Sequence, residues 1–368
     1  MLKKYKVAIL LLGLFLIFSV SIRTEANNKK VVKYSDFTEE ELSKSLEKLT
    51  DDELINEMDE IVNELNLSYA NSEIIPFANA LVERKDKLND KDIIDKIKNP
   101  ELKAETKAIL IDVINSKESY SNNKDTQNLL KDILKDNVDG DIKNKIISIS
   151  KFDINDIDLL KEFIDNGGET SFHALNALGK VDIAQAYEIS RDIISNKKNK
   201  SSEEIKGAIL NSCKYFKENN KNNKNNKNNI GKNVIEEEKK LYEELIYIFN
   251  ESDDKNIKDA SIFSMSDTRS PIAIKEILNQ KNIDKDVRLF AIDQNYMILE
   301  EILKNNPSED DIYMVISAMK ELPINNLKDE FDNILSNISN DKLKKEINNV
   351  IDIINLQGRD GNEKWLDY

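Results

Sequence analysis

Few side chains in this chain are suited to chemistry at neutral pH. There is one histidine, His173, and one cysteine, Cys213, among 368 residues. A Ser-His-Asp arrangement can be written on paper around His173, but nothing flanking it marks such a site. An exposed or packed structural histidine is the better reading. A zinc site needs three or four nitrogen or sulfur ligands, and one His with one Cys cannot supply them. Cys213 closes the run Ile209-Leu210-Asn211-Ser212-Cys213. There it is expected to be a small buried hydrophobe rather than a nucleophile. Asp136-Asn137-Val138-Asp139-Gly140-Asp141 partly matches a calcium loop. It fails because Lys135 stands at the first ligand position and Ile146 at the twelfth, where a bidentate Glu is required. Gly-rich phosphate loops are absent, and Gly167-Gly168 reads as a turn between helices. Carboxylate pairs are plentiful, but in a chain that is 33% charged they belong on solvated faces. The expectation is a protein that is not an enzyme, with no catalytic residue, no cofactor and no metal; its binding residues are left open.

With no chemistry to position, the ends and the charge of the chain become informative. Residues 1–26 read as a secretion signal. Lys3, Lys4 and Lys6 precede an apolar stretch from Val7 to Val20, and Thr24-Glu25-Ala26 offers a cleavage site. A spanning helix needs about 20 apolar residues, so an uncleaved anchor is the alternative rather than the expectation. The localisation that follows is secreted or cell-envelope, with no membrane insertion after cleavage. Those residues carry Lys3, Lys4, Lys6 and Arg23 against Glu25, so the net charge of −15 deepens to −18 without them. That sign argues against nucleic acid, whose affinity comes from cations on phosphates, and against anionic membrane surfaces. The partner expected is another protein. With a single Cys no internal disulfide can form, so the core must stabilise an exported fold.

The elements are helices throughout. Gly is scarce at 9 and Pro at 5, and apolar residues recur at three- and four-residue spacing instead of alternating. An N-terminal cap, residues 27–89, is expected to hold helices near 38–49, 51–66 and 72–87. Thr38 and Thr50 precede acidic first turns in the manner of N-caps. From about 90 the helices pair. An acidic residue, an apolar anchor and a basic residue open the second helix of several pairs, as in Glu101-Leu102-Lys103, Asp141-Ile142-Lys143, Glu204-Ile205-Lys206 and Asp286-Val287-Arg288. The anchors are Leu102, Ile142, Ser171, Ile205, Ile257, Val287, Ile312 and Leu343, which gives about eight pairs over 90–356. The first helices carry doublets such as Leu129-Leu130, Leu159-Leu160 and Ile298-Leu299. One pair alone cannot repay the entropy of ordering some 30 residues, so neighbouring pairs should share a core. Asn219 to Asn233 is an Asn/Lys repeat with hardly an apolar residue, expected to be a disordered loop between the fourth and fifth pairs.

The paired pattern resembles the HEAT-repeat (armadillo-like) α-solenoid family. Asp158 to Asp165, the Asn166-Gly167-Gly168 turn and Glu169 to Val181 look like one unit, and Pro271 to Asn295 like another. The resemblance implies an all-α fold, a right-handed α-solenoid of about eight HEAT-like helix pairs with a helical N-terminal cap. It also implies a ladder between neighbouring repeats in which Asp286 and Arg288 take the Asp and Arg positions. Lys103, Lys143, Lys206, Lys258 and Lys344 stand at the basic position elsewhere, and Lys lacks the planar fork of Arg. The function so implied is a protein-binding or scaffold module, or alternatively the accessory portion of a cell-surface hydrolase system. The tail, 357–368, opens with Gly358 as a helix C-cap. It holds Trp365 and Tyr368, expected to pack over the end of the last pair unless the tail is a recognition segment or the stub of a further domain.

Overall fold

A computed structural model of the chain describes residues 37–65, 73–136, 138–225 and 232–361. The expected signal, residues 1–26, and the aromatic residues of the tail, Trp365 and Tyr368, lie outside them. The described residues form nineteen α-helices, joined by turns and short 3-10 segments, and no strand. Two compact units divide the chain after Lys151.

The first unit holds α1 (Glu39–Leu46), α2 (Asp51–Leu65), α3 (Ile75–Arg84), α4 (Asp90–Lys98), α5 (Ala104–Asn115), α6 (Lys124–Ile133) and α7 (Gly140–Ile149). Thr38 and Thr50 cap their helices in reciprocal boxes. The Glu41 amide donates to Thr38 Oγ1, the Glu53 amide to Thr50 Oγ1, and each glutamate accepts from its threonine amide in return. The turn between α1 and α2 is gripped from α3, where Arg84 donates to the Leu46 carbonyl at 2.6 Å and the Leu49 carbonyl at 2.7 Å. From α5 on, each helix packs on its predecessor or on the helix two before, as α5 does on α4 and α3, α6 on α4, and α7 on α6 and α5. Leu110, Ile114, Leu130, Ile133 and Ile146 fill the space between them. Asp90, at the first turn of α4, collects a buried ion pair from Lys117 and hydrogen bonds from Asn123 and Thr126. One carboxylate thereby joins the starts of α4 and α6.

The second unit holds α8 (Ile157–Asp165), α9 (Gly168–Val181), α10 (Ile183–Ser195), α11 (Ser202–Asn225), α12 (Lys232–Glu251), α13 (Lys255–Asp267), α14 (Pro271–Asn279), α15 (Lys285–Gln294), α16 (Tyr296–Lys304), α17 (Glu309–Glu321), α18 (Lys328–Asn337) and α19 (Asp341–Gln357). Consecutive helices pack as hairpins, α8 on α9, α10 on α11 and so on to α18 on α19. Helices two apart also pack, giving a row α9, α11, α13, α15 and a row α12, α14, α16, α18. Gly167 and Gly168 make the entry turn to α9, with φ 76° and 63°, a region where a Cβ is strained. Glu204 of α11 reaches that turn and accepts from the Gly168 amide, while also accepting from the Ser201 amide and Lys200.

Each anchor belongs to a different helix, either within it or just before it, and Ile142, Ile205, Ile257, Ile312 and Leu343 are buried. Two details differ from the expectation. In α15 the buried residues are Leu289, Ala291, Ile292 and Asp293, while Val287 is half-buried. Leu102 precedes α5, whose N-cap is Lys103.

The ladder also differs. Arg288 does bridge neighbours, donating to Glu321 of α17 at 2.7 Å and to the Leu278 and Gln280 carbonyls at the end of α14. Its acidic partner is Glu321, while the Asp286 amide donates to the Asp284 cap. Two of the expected lysines meet aromatic rings: Lys206 lies over the Phe172 ring and Lys258 over Phe249. Lys217 pairs with Asp267, and Lys320 with Glu346, between alternate helices. A second, uncharged ladder runs through asparagines. Asn211 Nδ2 donates to Asn176 Oδ1 on α9 at 2.9 Å and to its own Gly207 carbonyl, and Asn295 Nδ2 donates to Ser266 Oγ of α13 at 2.8 Å and to the Ala291 carbonyl.

The Asn/Lys segment is not a loop over its described length. α11 runs on through Asn225 and α12 begins at Lys232, so residues 219–225 and 232–233 are helical, and 226–231 lie outside the described residues. Adding residues to an existing helix needs no new nucleus. Asn220 also earns a tertiary bond, donating to Glu238 Oε1 of α12 at 3.2 Å.

Candidate functional site

In the second unit, the row of α9, α11, α13 and α15 borders a groove of about 800 Å³. All four helices contribute to its lining, α11 and α13 the most, because alternate helices pack side by side. Asn176 comes from α9, Lys206, Lys214 and Lys217 from α11, Asp259, Phe263 and Asp267 from α13, and Phe290 and Gln294 from α15, with Arg269 just beyond α13.

Part of the groove is internally satisfied. Asn176 and Asn211 bond each other, and Lys217 and Asp267 pair at 2.5 Å. Lys214 donates to the Gly179 carbonyl at 3.0 Å. Burial, and then repulsion from Lys180, hold its ammonium below the usual lysine range. Among the described residues no side chain hydrogen-bonds or ion-pairs with the Arg269 guanidinium, which stands on a left-handed backbone at φ 53°.

The apolar wall is a pair of aromatic rings. Phe263 and Phe290 meet edge to face, centroids 5.1 Å apart and planes at 84°, a favourable quadrupolar geometry. They remain 38% and 39% exposed although their helices bury most other apolar side chains. Two phenylalanines held rigid and wet in a charged groove can grip an apolar side chain of a partner; they do not bond-make or bond-break.

The two residues first considered for chemistry lie apart in role. Cys213 is buried in the groove floor, and burial pushes its thiol far above the ordinary range, which leaves it protonated and unreactive. His173 sits 3.6 Å from Glu169 Oε1 and packs edge-on to Phe172; burial holds its pKa below the usual value despite the carboxylate. Cys213 thus lacks the lowered pKa that a nucleophilic thiol needs. Among the described residues no cluster of three His, Cys, Asp or Glu side chains is placed to hold a metal ion.

Sequence reasoning did not single out Phe263 or Phe290. The legible signal was their register: both are large aromatics standing off the buried stripe of their helices, close to basic residues. The sequence matches no protein-family model and no curated protein.

Proposed function

We propose that the chain is an exported, HEAT-like α-solenoid of about eight pairs with a helical N-terminal cap, acting outside the cytoplasmic membrane as a protein-binding or scaffold module. The groove bordered by α9, α11, α13 and α15 is its binding surface. The observation that carries this reading is the exposed Phe263–Phe290 pair among cations and anions. Rigid aromatic side chains ringed by polar groups are where protein interfaces concentrate their binding energy. The alternation of anchored helices supports the repeat reading, since stacked units expose a continuous row of equivalent helices. The acidic balance of the chain favours a protein partner over nucleic acid.

The test is capture from culture fluid and cell envelope, with the native chain and a Phe263→Ser/Phe290→Ser variant as parallel baits. A protein retained by the native chain and lost by the variant supports the reading. Retention of nothing specific, or equal retention by both baits, sinks it.

A further inference from the structure

The groove runs against the charge of the molecule that carries it. The chain has a net charge of −15, yet the groove is lined by four cations and three carboxylates. Pairing inside the groove leaves cations over. Lys217 is neutralised by Asp267 at 2.5 Å. Among the described residues no carboxylate ion-pairs with Lys214 of α11 or with Arg269. The same holds for Lys180, the exposed residue after Gly179 on α9, whose ammonium repels that of Lys214. That repulsion outweighs the attraction of Glu218. Like charges gathered in the free protein are a cost that an anion brought from outside relieves. The acidic remainder of the molecule does not cancel this, because salt at physiological strength screens exposed charges beyond about 8 Å. A ligand seated in the groove therefore responds chiefly to the groove's own charges. The turn after α13 adds a second sign. Its left-handed position, at φ 53°, is filled by the exposed Arg269, where a glycine would carry less strain. On either side of it the backbone is fixed, by the Thr268 hydroxyl donating to the Met265 carbonyl and by Ser270 capping α14.

We propose that the groove binds an acidic peptide segment of a partner protein, in which one bulky apolar side chain is flanked by carboxylates. The apolar side chain seats on Phe263 and Phe290, and the carboxylates meet Lys214 and Arg269. The proposal rests on the reading of the groove as a binding surface and names the chemistry of its partner. Each group has a distinct part. The edge-to-face phenylalanines are already ordered and wet, so covering them gains apolar burial at little further cost in entropy. The Arg269 guanidinium offers a planar fork that a carboxylate can occupy with two hydrogen bonds. Lys214 offers a point charge, already oriented by its bond to the Gly179 carbonyl at 3.0 Å. A nucleic acid fits less well. Glu218 and Asp259 would face its unbroken row of phosphates, and two rings at 84° give no parallel platform for successive bases.

Fluorescein-labelled synthetic peptides and the full chain test this by anisotropy. The probe is Gly-Ser-Asp-Glu-Phe-Glu-Asp-Ser-Gly. One control replaces its four acidic residues by lysine, and another replaces its phenylalanine by serine. The acidic probe should saturate the native chain and bind about tenfold or more tighter than either control. Lys214→Glu/Arg269→Glu should reverse the preference between the acidic and the lysine-flanked peptide while circular dichroism stays unchanged. Arg269→Glu alone, at an exposed position, should narrow it. The peptide comparison on the native chain needs no variant, so a misfolded variant leaves the test standing. Failure of the acidic probe to saturate at millimolar concentration overturns the proposal. So does equal binding of the lysine-flanked peptide, an unchanged preference in a folded charge-reversed variant, or tighter binding of an oligothymidylate. Parallel capture separates the two readings. A partner lost by Phe263→Ser/Phe290→Ser but retained by Lys214→Glu/Arg269→Glu removes the acidic specificity and leaves the binding function. Saturable, charge-selective binding of the acidic probe with no partner captured does the reverse.

Discussion

Arg359 and Asp293 stand 66 residues apart in sequence, and the guanidinium donates to the Asp293 Oδ1 atom at 2.6 Å. The aspartate side chain is only 2% exposed. A carboxylate so enclosed is tolerable because a cation and its hydrogen bond replace the lost water. The pair fastens the end of α19 to α15 across the intervening hairpin.

Removing one member should be worse than removing both. Arg359→Met leaves Asp293 buried and uncompensated, at a cost of about 3 kcal/mol, whereas Arg359→Met/Asp293→Leu should recover most of it. Urea unfolding of the two variants checks this, and equal destabilisation by single and double variants would show the pair to be incidental.

Gly179 should change sign with its neighbour. A methyl there would run into Asn211 Oδ1, which is held by the bonds to Asn176 and Gly207. Gly179→Ala should therefore destabilise the native chain by about 1–2 kcal/mol. In an Asn211→Ala background the obstacle is gone, and the same change should stabilise by about 0.5–1 kcal/mol through helix propensity. A double-mutant cycle measures the coupling, and additivity within error refutes the contact.

Glu204 predicts an acid dependence. Burial pushes its carboxyl up, but the Ser201 amide, Lys200 and the Gly168 amide outweigh burial, and the group lies below the usual carboxylate range. The folded state therefore binds its proton less readily than the unfolded state. The stabilisation is complete above the ordinary value of 4.5 and is lost as the pH falls through the lower folded value. The melting temperature of Glu204→Gln should lie below that of the native chain at neutral pH and converge on it in acid. A gap that is constant with pH excludes the carboxylate as the cause.

Asn220 tests the helical continuation of α11. It donates to Glu238, a buried carboxylate that also accepts from the Tyr242 hydroxyl at 2.8 Å. Asn220→Ala should cost about 1 kcal/mol. Deleting the whole of 219–233 should lower both the melting temperature and the helical circular dichroism, where a structureless loop would leave both unchanged.

Which residues make helices, and which side of each helix is buried, was legible in the sequence because both depend on residues three and four apart. Thr38 and Thr50 cap as their spacing to Glu41 and Glu53 predicts, and the stripes Ile312, Ile316, Met319 and Leu343, Ile347, Val350 are buried as their period requires. Local composition misled where a neighbouring element decided the outcome. The Asn/Lys run reads as a loop, yet a helix already formed extends into it and α12 supplies Glu238 to Asn220. Val287 reads as an anchor, yet the packing of α15 buries Leu289.

The sequence by itself determined an all-α chain with its helices in nearly the right places and a single buried cysteine. Tertiary structure alone decided that Arg288 meets Glu321, that Phe263 meets Phe290, and that Arg359 turns the tail back to Asp293. Helix periodicity is a property of one segment, so one segment displays it. A ladder, a groove or the Arg359–Asp293 pair is a meeting of residues 27 to 66 positions apart, set by how helices pack, and no local spacing encodes it.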